Sequence, residues 1–206
     1  REIHAIPLDS TVNGRRWTDD NLLVFMFRRL NLVLIRTGFR LGEIVKHPSG
    51  EIMFLTFANL HWMIDRVLYT DPDGDLLRSM VPERDCALLA PPRAKPDQFG
   101  EIHCPFPATL TLTEEADNAA AALRDIELRC RVRGSGRERT ALFCNEAGTP
   151  FTHAAFDGIL RDALTHLYGP RVASLYSFHS YRSGLATALH AAGVPDPMIM
   201  LICRWM

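Results

Sequence analysis

The chain has 206 residues, 47% of them hydrophobic and 23% charged, a balance that suits a globular protein with a substantial core. Its longest apolar stretch, Leu22 to Ile35, is broken by Arg28, Arg29 and Asn31 and is shorter than the roughly 20 residues a bilayer span needs, so no membrane helix is expected. A net charge of −1 argues against non-specific coating of DNA, which requires clustered Lys and Arg, but leaves room for a local basic patch.

The first residues, Arg1-Glu-Ile-His4, carry neither an initiator Met nor an apolar signal core and are expected to continue a longer chain. Residues 1–16 are assigned to a linker or arm, and 17–206 to one domain. Thr18-Asp-Asp followed by an apolar run to Leu34 predicts a capped, buried helix closing at Gly38. Arg40 and Glu43, three residues apart, fall in a short second helix ending near Pro48 and can face the same way.

From about Glu51 to Pro107, short apolar runs separated by Asp71-Pro-Asp-Gly74, Pro91-Pro92 and Pro96-Asp97 predict a small antiparallel sheet with loops at 71–74 and 95–100. Thr111 and Glu114 make a capping box for an Ala-rich helix that runs to Gly134-Ser-Gly136, the segment expected to be most flexible. Six arginines (Arg124, Arg129, Arg131, Arg133, Arg137, Arg139) stand there against Asp125, Glu127 and Glu138, either as a solvated helix end and loop or as a DNA-binding patch. Thr152 opens a helix to about Leu167, ended by Gly169-Pro170. Ser177 caps another, with the stripe Phe178, Tyr181, Leu185, Leu189 and Ala192 at core-face spacing, and Asp196-Pro197 starts a last helix as N-cap and N1. The fold class is therefore mainly α with a small antiparallel β-sheet, α+β.

The five cysteines are scattered without a CxxC pair, which speaks for neither a zinc site nor a disulfide framework and fits a reducing, intracellular compartment. The histidines show no metal-ligand spacing, and no Gly-rich phosphate loop is present. His179 and Arg182, at i and i+3, share one side of their helix and flank the apolar stripe, with Arg182 expected to be exposed to a cleft.

Three more segments stand in order around that pair: Arg36-Thr-Gly-Phe-Arg-Leu-Gly-Glu-Ile44, Ala94-Lys-Pro-Asp-Gln-Phe-Gly100 and Ile202-Cys-Arg-Trp205. Together they resemble the catalytic domain of the tyrosine recombinases, the phage-integrase family, over nearly the whole chain. That family has a T-G-x-R-x-x-E box, a lysine on a β-hairpin loop, an H-x-x-R box, and a His or Trp about 23 residues later.

The resemblance implies DNA strand cleavage and rejoining through a 3′-phosphotyrosine, as in site-specific recombination or integration, without metal or other cofactor. Arg40 and Arg182 would hold the scissile phosphate, since a planar guanidinium matches its oxygens in pairs and stays charged. Lys95 would protonate the 5′-oxygen leaving group, His179 would assist proton transfer at the nucleophile, and Trp205 would donate its indole N–H. Glu43 would orient an active-site cation. Arg129, Arg131, Arg133, Arg137 and Arg139 are candidate DNA contacts.

By the family's spacing the nucleophilic tyrosine is expected beyond Met206, so the chain as given is expected to bind phosphate without cutting. The implied partner is double-stranded DNA, bound by a homotetramer of the full-length protein in a prokaryotic cytoplasm or a eukaryotic nucleus, with no membrane. Two alternatives remain. One is a DNA-binding relative or mobile-element fragment without catalysis; the other is a helical protein-interaction domain, in which these arginines would be scattered over the surface.

Overall fold

The structure, a computed structural model, describes residues 2–45, 54–92 and 107–205. It is a mixture of helix and strand with small antiparallel sheets, of the α+β kind. Among the described residues no helix is long and apolar enough to cross a membrane.

A buried helix, α1 (Leu22–Thr37), organises the core. Asn21 caps it by accepting from the N–H groups of Leu23 and Val24, so the cap falls on the third residue after the expected Thr18. Gly38 closes it at φ +59°. A Cβ at Gly38 would lie 2.9 Å from a methyl carbon of Leu185, so both its left-handed backbone and its close approach to a later helix demand glycine.

Residues 2–16, expected as a linker or arm, pack against the rest of the domain. Strands β1 (Ser10–Val12) and β2 (Arg15–Trp17) pair as a hairpin that sends Val12 and Trp17 into the main core, where Ile6 joins them. Asn13 and Arg15 bond Asp162, and Arg28 of α1 donates to the His4 carbonyl.

The main sheet has the order β4-β3-β5-β6, all antiparallel, with β3 Leu60–Ile64, β4 Val67–Tyr69, β5 Cys86–Leu89 and β6 Ala108–Thr111. Alternation along β3 buries Leu60, Trp62 and Ile64 on one face. Asp71-Pro-Asp-Gly74 is more than a turn, because Asp73 caps the one-turn helix α2 (Gly74–Arg78) through the Leu76 N–H.

Thr111 does not cap a helix. It ends β6 opposite Cys86, and Asn118 caps α3 (Ala119–Cys130) instead. The Asn118 amide also ties the two elements together, donating to the Thr111 carbonyl and the Thr113 hydroxyl. The glycine-serine stretch is not a free loop either, since 134–138 winds into a 3-10 helix that places Arg137 in the interior.

Thr152 caps α4 (His153–Tyr168), which ends at Gly169 and is followed by the single turn α5 (Pro170–Ala173). Helix α6 (His179–Ala191) is anchored at its start by Phe178, whose ring packs edge-on against Phe27 of α1 and Phe156 of α4. Tyr181, expected as core, packs on Phe178 and bonds Asn31 of α1. The C-terminal half of α6 leaves this core and meets α7 (Asp196–Ile202) over a small separate cluster, Ala186, Ile199 and Cys203. Pro195 is the N-cap of α7, one residue earlier than expected.

Candidate active site

The end of α1 hands the chain to a 3-10 turn, Leu41–Glu43, with Arg40 at its N-cap. Glu43 is 6% exposed, and its carboxylate accepts from the Arg40 backbone N–H at 2.6 Å and from the Arg204 guanidinium at 2.8 Å. This acid is therefore a brace between the first box and the last. The Arg204 guanidinium lies 4.3 Å from the centroid of the Phe39 ring, which stacks on it from the other side.

Arg204, which sequence reasoning passed over, is the hinge of the arrangement. At φ +51° it turns the chain out of α7, and its carbonyl accepts from Arg182 Nη2 at 2.9 Å. Arg182 is 2% exposed, far more enclosed than a cleft-facing surface arginine. Its Nε and Nη1 have no protein partner among the described residues. Burial first, then the nearby Arg40 and Arg204 charges, bring it down to about 10, with Glu43 opposing. Burial also lowers Arg204, against the pull of Glu43.

These groups meet at a cleft of about 360 Å³ lined by Arg40, His179 and Arg182, with Phe39, Leu41 and Phe178 as its apolar wall. His179 is exposed at the head of α6, where its backbone N–H is held by the Ser177 hydroxyl. Trp205 is 37% exposed, with its ring centroid 5.8 Å from the Arg182 guanidinium carbon. Three of the expected residues thus line one cleft, Trp205 adjoins them through Arg182, and Glu43 is joined to them through Arg204 and the Arg40 backbone. Lys95 lies outside the described residues. His153 and Asp157 of α4, a pair that no sequence motif singled out, also line the cleft.

The arginine-rich segment lies elsewhere, and none of its five candidate DNA contacts lines the cleft. Arg137 is corrected outright: it is 4% exposed, paired with Glu127, and donates to the carbonyls of Phe57 at 3.0 Å and Leu60 at 3.3 Å. Trp62 Nε1 shares the same glutamate. This is a buried structural ion pair rather than a phosphate grip. Arg129 donates to the Asp19 carbonyl and packs over Phe25, Arg133 is tied to Asp71, and Arg131 caps α3 with its own side chain turned back to the Leu128 carbonyl. Arg139 stands exposed.

No tyrosine lines the cleft among the described residues. Tyr181 is occupied by Asn31, and burial pushes its hydroxyl well above the ordinary phenol range. Tyr168 bonds Glu2, which raises it to about 12.

A scan of the sequence against protein-family models gives no match, and a search of curated proteins gives none.

Proposed function

We propose that this chain is a tyrosine recombinase catalytic domain whose cleft binds a phosphodiester of double-stranded DNA. One observation carries the reading. Arg182 is almost fully enclosed, yet among the described residues its Nε and Nη1 have no protein acceptor, beside a cleft shared with Arg40 and His179. A buried cation with unused donors is costly to a fold, and an anion supplies both the missing charge and the missing acceptors.

Two guanidinium groups suit a phosphate that gains negative charge in a pentavalent transition state. Glu43 serves as their mount, holding Arg40 through its backbone and Arg182 through Arg204. His179 stands where a proton could pass to or from an attacking or leaving oxygen, and the Trp205 edge offers one indole N–H donor. Lys95 is the proposed acid for the 5′-oxygen. The nucleophile in this reading is a tyrosine other than Tyr69, Tyr168, Tyr176 and Tyr181, carried further along the parent chain, and its attack would form the 3′-phosphotyrosine and release the 5′-hydroxyl. Assembly as a tetramer on two duplexes belongs to the same proposal.

The second reading, a DNA-binding relative that does not cut, is favoured by the absence of any tyrosine from the cleft among the described residues. A scattered-arginine interaction domain fits less well, because Arg40, His179 and Arg182 line one cleft.

The test is binding of a labelled DNA duplex at several salt concentrations by the wild type and Arg40→Gln. Losing one phosphate contact should weaken binding and flatten the slope of log affinity against log salt by about 0.9. An unchanged slope and affinity would overturn phosphate binding at this cleft. A parent chain extended past Met206 that forms a covalent adduct with nicked DNA supports cleavage; full folding and binding without an adduct leaves the non-cutting reading.

A further inference from the structure

The wall of the cleft formed by α4 contains a pair that the proposed chemistry does not use. His153 is the first residue of the sixteen-residue helix α4, and its Nδ1 lies 2.7 Å from the Asp157 carboxylate, one turn on. Both side chains line the cleft, and both keep solvent access, at 64% and 42% exposure. A carboxylate only accepts, so Nδ1 carries the proton and donates to Asp157. That leaves Nε2 as the ring nitrogen available to a ligand, and because a phosphate oxygen only accepts, a contact there needs the imidazolium, whose Nε2–H is its second donor.

Two further features bear on what the pair would meet. The N-terminal N–H groups of α4 place partial positive charge at this wall, with Thr152 satisfying the Ala155 N–H. Independently, the enclosed and incompletely bonded Arg182 faces the same cleft from α6. A single phosphate does not fill about 360 Å³, and a DNA strand brings its next charge within about 3.4 Å of axial rise.

We propose that His153, positioned by Asp157, is a further phosphate-contacting residue of this cleft, its imidazolium donating Nε2–H to a phosphodiester oxygen adjacent to the one held by Arg40 and Arg182. The inference rests on the DNA-binding reading above and deepens it. Asp157 is a positioning residue: it touches no ligand, and its own charge repels DNA.

That repulsion makes the test decisive. Affinity for a short labelled duplex is measured for the wild type, His153→Ala, Asp157→Ala, the double variant and Arg40→Gln, with thermal melts to check folding. His153→Ala should weaken binding by about threefold to tenfold, the worth of one hydrogen bond. Asp157→Ala should also weaken binding, although it removes a negative charge, and the double variant should be no weaker than His153→Ala alone. Tighter binding by Asp157→Ala would overturn the positioning role. Unchanged binding by His153→Ala alongside weakened binding by Arg40→Gln would overturn this inference and spare the phosphate reading, whereas unchanged binding by Arg40→Gln would remove the ground under both.

Discussion

Replacing Arg182 by methionine should make the protein more stable and less able to hold DNA. The guanidinium is 2% exposed and makes one hydrogen bond, from Nη2 to the Arg204 carbonyl, while Nε and Nη1 have no protein acceptor among the described residues. Each orphaned buried donor costs about 1–3 kcal/mol, so the two together cost about 2–6. Methionine of similar length forfeits the bond to Arg204 and strands its carbonyl, about 1–3 kcal/mol. It also gives up the contact with Trp205, worth about 0.5–1. It removes the repulsion from Arg40 and Arg204 that, together with burial, lowers this arginine to about 10. The balance is a gain of about 1–2 kcal/mol, in line with apolar replacement of other buried charges. Urea unfolding followed by circular dichroism should show a higher midpoint at unchanged slope, and the melting temperature should rise by about 2–8 °C. DNA should raise the melting temperature of the wild type by more than that of the variant. A loss of more than about 1 kcal/mol would refute the reasoning, because it would mean Arg182 is a satisfied structural cation.

Glu43→Ala should do the opposite, costing about 3–5 kcal/mol, since it leaves Arg204 buried without its counter-charge and the Arg40 N–H without its acceptor; Glu43→Gln, which keeps an acceptor, should cost less than half as much in the same denaturation assay. Asp85, fully buried, accepts from the Asp65 and Val81 N–H groups and from Arg84, and the Arg84 hydrogen bond leads in bringing it down to about 2. Because the folded value lies below the unfolded one, its contribution is complete above about pH 4 and is lost as pH falls through about 2. Allowing for solvent screening at Arg84, Asp85→Asn should cost about 1–2 kcal/mol at neutral pH and flatten this limb of the acid titration.

What the sequence revealed and what it concealed divide along the range of the interactions involved. Gly38, Thr152 and Gly169 end or begin helices with chemistry carried in one or two residues, so the end of α1 and both ends of α4 were legible within a residue or so, while the start of α1 fell three residues past its expected cap. Thr111 and Glu114 have the same local signature, yet Thr111 is taken by a strand partner, Cys86, twenty-five positions earlier in the chain. Arg137 shows the same limit. Its charge and its glycine neighbours suggested an open loop, while its acceptors, Glu127 and the carbonyls of Phe57 and Leu60, come from two other elements. The arginine and histidine boxes were legible because their order along the chain, more than any single residue, set them apart. His153 escaped notice because its pairing with Asp157 is an ordinary i, i+4 contact that gains meaning only from the cleft beside it.

The convergence of the boxes also has a local physical cause. Without a side chain, Gly38 lets the end of α1 lie against α6, and its absent Cβ would stand 3.8 Å from the Arg182 side chain as well as against Leu185. The first box is thereby brought against the second. The third is drawn in by charge: Arg204 offers its guanidinium to Glu43 of the first box and its carbonyl to Arg182 of the second. One carboxylate thus serves a cluster of three arginines, Arg40, Arg182 and Arg204. A fold selected only for stability would replace one of the cations with a hydrocarbon or add a second acid to the cluster. Among the described residues the one acid lining the cleft is Asp157, already engaged by His153. The surplus of positive charge therefore stays directed at the cleft, where only an incoming anion can balance it.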